Sequence, residues 1–225
     1  MVVGLGTGTT VAFLLPSLAA RGLGITCVAT SPATAQQALD LGLRVLPGDA
    51  FGRLDIAIDG ADQVSPDRWL VKGGGGAHTR EKIVAAAADR FVVIVSSDKL
   101  VAAIAAPVPL ELLAFGLQGT LRRLGSCRLR RAPPSPDGGV LADWTGGVGD
   151  PRDLASHLEQ EPGLLSHGLF PPEMVADVVV GHPDGADLLA GGAGGAGGAG
   201  GAGGAGGAGG TGPTGVGREG SGGRL

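Results

Sequence analysis

Over its first hundred positions the chain alternates short apolar runs with helically spaced stretches. Met1–Leu5 reads as a strand running into a glycine-rich turn, and Thr9–Ala20 carries Val11, Leu14, Leu15 and Leu18 at helical spacing. Ile25–Ala29 reads as a strand and Pro32–Leu41 as a helix, with Ser31 or Thr34 available as its cap. Leu43–Leu46 and Leu54–Ile58 are further short strands, Arg80–Ala88 is helical, and Phe91–Val95 is the strongest buried-strand run. Such alternation predicts an α/β fold, a Rossmann-like parallel sheet covered by helices on both faces.

After Pro107 the rhythm changes. The pattern predicts a helix near Leu112–Leu124 and a hairpin pairing Arg128–Arg131 with Val140–Asp143 across a proline-rich turn. Asp150-Pro151 opens a helix through Glu159, with proline at its first turn. Val175–Val180 is a second apolar strand, expected to rejoin the main sheet. The expected domains are therefore 1–108 with 171–190 as the Rossmann-like catalytic domain, and 109–170 as a small α+β domain inserted before the last strand. Residues 191–225 form a Gly/Ala-rich tail with nothing to bury, expected to be disordered.

Composition sharpens this. Of the 45 glycines, 20 fall in the last 35 residues, so the body is only moderately glycine-rich. A net charge of −4 argues against a general nucleic-acid binder, and no apolar run is long enough for a membrane span. Two distant cysteines, Cys27 and Cys127, suit reduced thiols, and no charged region of a secretory signal precedes the first strand. The expected location is cytoplasmic.

Four segments could carry chemistry. Gly4-Leu5-Gly6-Thr7-Gly8-Thr9-Thr10 joins a strand to a helix, where bare backbone and helix-start N–H groups can cradle an anion. The spacing is wrong for a dinucleotide fingerprint, and the next strand ends Ala29-Thr30-Ser31 without the acid that a ribose would need. A small phosphate ligand fits better, against the plainer reading of a tight turn. Asp59-Gly60-Ala61-Asp62 puts two acids at a strand's carboxyl end, where open α/β sheets bind ligands. Lys72-Gly73-Gly74-Gly75-Gly76 precedes a helix with Glu81 in its first turn; a mere connector needs no such charged flanks. Lys99 follows the strongest strand and could meet a phosphate. The four histidines lack metal-ligand spacing.

Taken in order, Gly-Thr-Gly-Thr-Thr, Ile-Asp-Gly-Ala-Asp, Lys-Gly-Gly-Gly-Gly-Ala, Thr-Arg-Glu-Lys-Ile-Val and Asp-Lys-Leu-Val resemble the A-type ribose-5-phosphate isomerase family. Weaker echoes at residues 107–111, Gly168-Leu169-Phe170 and 176–181 extend the resemblance to about residues 2–185. It implies an aldose–ketose isomerase of the pentose phosphate pathway, acting on a small-molecule sugar phosphate without cofactor or metal, and a homodimer or homotetramer. It implies Glu81 as the proton acceptor, with Asp59, Asp62 and Lys72 in the chemistry. Thr7, Gly8, Thr9, Thr10, Asp59, Gly60, Ala61, Asp62, Lys72, Gly73, Gly74, Gly75 and Lys99 would bind substrate.

The chain departs from the family in four places. The family has a helix and a basic residue before the first strand, where this sequence starts. It has Glu where Gln63 stands, a different turn at 135–139, and no counterpart of Pro171–Met174. The alternatives are a non-catalytic sugar-phosphate sensor of the same fold and an N-terminally truncated, inactive isomerase.

Overall fold

The computed structural model describes residues 1–190. The expected Gly/Ala tail, 191–225, lies outside them. The first half runs β1 (Val2–Leu5), α1 (Thr9–Ala20), β2 (Thr26–Ala29), α2 (Pro32–Asp40), β3 (Arg44–Val45), β4 (Ile56–Asp59), β5 (Gln63–Val64), β6 (Leu70–Val71), α3 (His78–Ala87) and β7 (Phe91–Ser96). There follow β8 (Val108–Leu112), α4 (Leu117–Leu124), β9 (Cys127–Leu129), β10 (Val140–Trp144), α5 (Pro151–Glu159), β11 (Leu164–His167), β12 (Leu169–Phe170), β13 (Asp177–His182) and β14 (Gly185–Ala190).

Seven strands build the main sheet in the order β14-β13-β7-β4-β1-β2-β3. Helices cover both faces, and the strand pattern shows why. Val3, Leu5 and Cys27 pack on one side with Leu15 of α1 and Ala38 of α2. Val28, Ala57, Phe91 and Val93 pack on the other with Val84 and Ala85 of α3. Ser31 caps α2, its hydroxyl accepting from the Thr34 amide at 3.1 Å.

A second, antiparallel sheet, ordered β11-β8-β10-β9, buries Val108, Leu110 and Leu112 with Leu124 of α4 and Leu158 of α5. The expected hairpin is present, with Asp143 opposite Arg128. The last apolar strand rejoins the main sheet, β13 lying parallel to β7.

Three expectations need correction. The helix placed at Leu112–Leu124 begins only at Leu117, because β8 pairs on both sides with β10 and β11 and takes Leu112 with it. The sheet is not wholly parallel: β14 turns back through Gly185 and pairs antiparallel with β13, so β13 is not the last strand. The third concerns a small sheet that the sequence does not suggest, β12-β6-β5, formed by two-residue strands too short to show a period.

Candidate active site

β1 and β4 lie side by side, and the strand order reverses there, since β2 and β7 lie on their outer flanks. Loops leaving such neighbours in opposite directions open a crevice at their carboxyl ends. The threonine loop and the aspartate motif leave from these two strands. They meet at a pocket of about 170 Å³ lined by Thr7, Gly8, Thr9, Thr10, Gly60, Ala61 and Asp62. Lys72, Gly73, Gly74, Gly75, Glu81 and Lys99 complete its wall. A larger hollow of about 470 Å³, between Phe51, Ile83 and Arg80, contains none of the sequence-predicted residues.

Asp59 is the one predicted residue that does not line the pocket; it is buried behind it. Its Oδ1 accepts from the amides of Gly60 at 2.7 Å and Thr7 at 3.2 Å. Its Oδ2 lies 2.8 Å from Lys72 Nζ. Nζ also donates to the Gly60 carbonyl at 2.5 Å and stands 3.1 Å from Glu81 Oε2. Three oxygens thus surround one ammonium. The contact with Glu81 is a charge contact only, for Oε2 is buried and accepts no well-aligned hydrogen bond.

This buried triad holds two carboxylates and one cation, and the chemistry follows from that imbalance. Burial disfavours the Lys72 charge, yet Asp59 and Glu81 outweigh it and hold the ammonium at about 12. Burial raises both acids, opposed by Lys72. Asp59 has the more donors; Glu81, with fewer, is pushed up to about 7. The pocket therefore contains a permanent cation beside a carboxyl that exchanges its proton near neutrality.

Gly6 shows how tightly the two loops fit. A Cβ there would lie 1.8 Å from Asp59 Oδ1. Gly6→Ala is expected to push Asp59 off Lys72 and lower kcat about 100-fold, since ångström displacements at a reacting centre cost that much. Steady-state assay of the variant checks this; wild-type kcat would show that the contact is slack.

Some predicted residues take roles that the sequence does not suggest. Thr7 Oγ1 shares a 2.6 Å hydrogen bond with Thr30, which ties the loop to β2. Asp62 accepts from the Gly74 amide at 2.8 Å. Lys99 is partly exposed, 3.3 Å from Asp98. Gln63 donates to and accepts from the backbone of Ala105, both at 2.9 Å, a pairing an acceptor-only carboxylate could not make.

Other contributors were invisible in the sequence. The buried Phe170 ring carries Lys72 Nζ 5.5 Å from its centroid and Lys82 Nζ at 5.1 Å. Arg130, from just beyond β9, reaches the carbonyls of Gly73 and Gly74. Glu111 accepts from both Thr79 and Ser135, and Arg80 pairs with Asp137 at 2.7 Å, so the hairpin turn at 135–139 braces the start of α3 beside Glu81. Only the packing of the second sheet against α3 brings these together. Among the described residues no group of three His, Cys, Asp or Glu side chains could hold a metal ion. Nor, among them, is any helix long and apolar enough to cross a membrane.

Known proteins resemble this chain in sequence and fold. The model of the ribose 5-phosphate isomerase A (phosphoriboisomerase A) family matches residues 26–185. A ribose-5-phosphate isomerase A from Gluconobacter oxydans is 41% identical over 83% of this chain and 88% of its own length. One from Roseiflexus is 42% identical, over 82% and 86%. Among solved structures, the enzyme from Methanocaldococcus jannaschii superposes with a TM-score of 0.78 at 31% identity, covering 84% of this chain and 91% of its own. A D-ribose-5-phosphate isomerase in complex with phospho-erythronic acid gives 0.79 at 31% identity, over 84% and 90%. Sequence and fold agree: the chain belongs to the ribose 5-phosphate isomerase A family.

Proposed function

We propose that the protein interconverts D-ribose 5-phosphate and D-ribulose 5-phosphate, with Glu81 carrying the proton. The reading rests above all on the buried Lys72 ammonium, 2.8 Å from Asp59 and 3.1 Å from Glu81, on the wall of a pocket rimmed by the threonine loop.

The interconversion moves one proton between C2 and C1. The Glu81 carboxylate takes the C2 proton of the open-chain aldose, leaving an ene-diolate, and returns it to C1. The hydroxyl proton of C2 passes to the C1 oxygen, so no atoms are gained or lost. Negative charge grows on the oxygens in between, where the buried Lys72 ammonium and loop N–H groups stabilise it. Thr7, Gly8, Thr9 and Thr10 at the start of α1 hold the phosphate, with Lys99 supplying charge at the rim. Asp62 and the Gly60-Ala61 backbone face the sugar hydroxyls, and Asp59 assists by fixing Lys72. Binding energy from the phosphate then serves a reaction several bonds away.

The pH dependence tests the base. Abstraction needs ionised Glu81, so kcat is expected to rise about tenfold per pH unit up to about 7 and level off above it. A kcat profile flat to pH 5.5 would remove Glu81 from the role. A non-catalytic sensor has no use for Glu81, Lys72, Asp59 and Asp62 gathered in one site.

Residues 109–170 form, in this reading, a small domain that braces the site, and the protein works in the cytoplasm. It assembles as a homodimer or homotetramer, in keeping with the exposed Leu113, Phe115 and Leu165 near the end of β8. Light scattering on the eluting protein distinguishes these from a monomer.

A further inference from the structure

We propose that Arg130 and Asp143 are a positioning pair that aims the Gly75 amide into the active site as an oxyanion donor. The inference builds on the isomerase reading above and adds residues that do not touch the pocket.

The argument is one of peptide planes. In a trans peptide the carbonyl of one residue and the N–H of the next point in opposite directions. Arg130 Nη1 donates to the Gly73 carbonyl at 2.8 Å and to the Gly74 carbonyl at 3.2 Å. Both peptides are thereby turned the same way. The first shows where the other side lies: the Gly74 N–H points away from Arg130 and donates to Asp62, which lines the pocket. The second peptide is oriented alike, so the Gly75 N–H also faces the pocket, and among the described residues it has no hydrogen-bond partner. Gly75 itself lines the pocket, and a Cβ placed on it would lie 3.7 Å from the Thr7 methyl group.

An unsatisfied amide held towards a charged reacting centre is an oxyanion donor, and its worth depends on being fixed beforehand. Four glycines in a row supply no rigidity of their own. The rigidity comes from Arg130. Its Nε and Nη2 donate to Asp143 Oδ1 at 2.9 and 2.7 Å, which uses the opposite edge of the guanidinium and prevents rotation. Both side chains are largely buried, and Asp143 sits on β10 in the middle of the second sheet. A planar fork can bridge a carboxylate and two carbonyls at once; an ammonium cannot.

The test uses Arg130→Lys, Arg130→Met and Asp143→Asn in the full-length protein, with Glu81→Gln alongside. Phospho-erythronic acid is the probe, because its planar carboxylate carries charge where the ene-diolate does. Each Arg130 variant is expected to lose about 100-fold in kcat with KM changed less than threefold. Inhibition by phospho-erythronic acid should weaken in step with kcat/KM. Asp143→Asn, which keeps the shape but loosens the fork, should show a smaller loss of the same kind. A purely structural pair would lower the melting temperature and leave kcat and inhibitor affinity of the folded fraction intact, and that result overturns the proposal. It is equally overturned if KM rises with kcat unchanged. Should Arg130→Met not fold, Arg130→Lys and Asp143→Asn decide. Normal turnover in Glu81→Gln would instead strike the isomerase reading itself.

Discussion

Glu81→Gln is expected to lower kcat by about a thousandfold or more while leaving the substrate bound. The amide is nearly the shape of the acid but cannot accept and return a carbon-bound proton. Thr7–Thr10, proposed above to hold the phosphate, lie on other elements and are untouched. Ribose 5-phosphate should therefore still raise the melting temperature of a variant that no longer turns it over. Stability supplies a second, independent readout. Glu81 titrates at about 7 when folded and near the ordinary carboxyl value of about 4.5 when unfolded. A raised value means that its stabilising contribution is full below pH 4.5 and is lost as pH rises through 7. The wild type should thus exceed Glu81→Gln in unfolding free energy by more at pH 5 than at pH 8. Denaturant titrations at the two values check this, and a difference of the opposite sign would mean that the carboxyl is not buried as described.

Lys72→Met should damage both fold and chemistry. It leaves Asp59 and Glu81 buried with no counter-charge, a situation that costs about 3–5 kcal/mol when one partner of a buried pair is removed. It also removes the cation next to the developing oxyanion, worth about 100- to 1,000-fold in kcat. Acid should rescue the stability but not the rate, since protonating the stranded carboxyls relieves their repulsion and cannot replace an ammonium. Melting curves at pH 5 and pH 8, with kcat at each, separate the two effects. An unchanged melting temperature at pH 8 would show that the triad is solvated.

Much of this was legible because function sits where periodic elements end. The runs ending at Leu5 and Ile58 announce strands, and the residues just beyond them, Thr7–Thr10 and Asp59–Asp62, line or back the pocket. Glu81 could be read from its place in the first turn of a helix following the glycines. What the sequence concealed depends on contacts between distant segments. Nothing around Arg130 marks it, because its value lies in carbonyls more than fifty positions earlier. Phe170 looks like an ordinary core residue until Lys72 and Lys82 are found on its ring. The strand β8 was hidden because it is short and its last residue, Leu112, also fits the start of the apolar helix that follows, and only its two partners settle the matter. Lys99 was easy to notice, and its setting, beside Asp98 at the rim, is more ordinary than its position suggested.

The small sheet β12-β6-β5 bears on how the protein comes into being. Leu169 and Phe170 pair with Val71 and Leu70, and the Lys72 amide donates to the Gly168 carbonyl at 2.9 Å. The segment that carries Lys72 is thus completed by residues nearly a hundred positions later. A ribosome making this chain will have finished the threonine loop, both aspartates, Lys72 and Glu81 long before Phe170 emerges. Until then two carboxylates and an ammonium have no apolar wall to enclose them. Contacts of such sequence separation form late and slowly. In a refolding experiment, catalytic activity should therefore lag behind the recovery of helical signal.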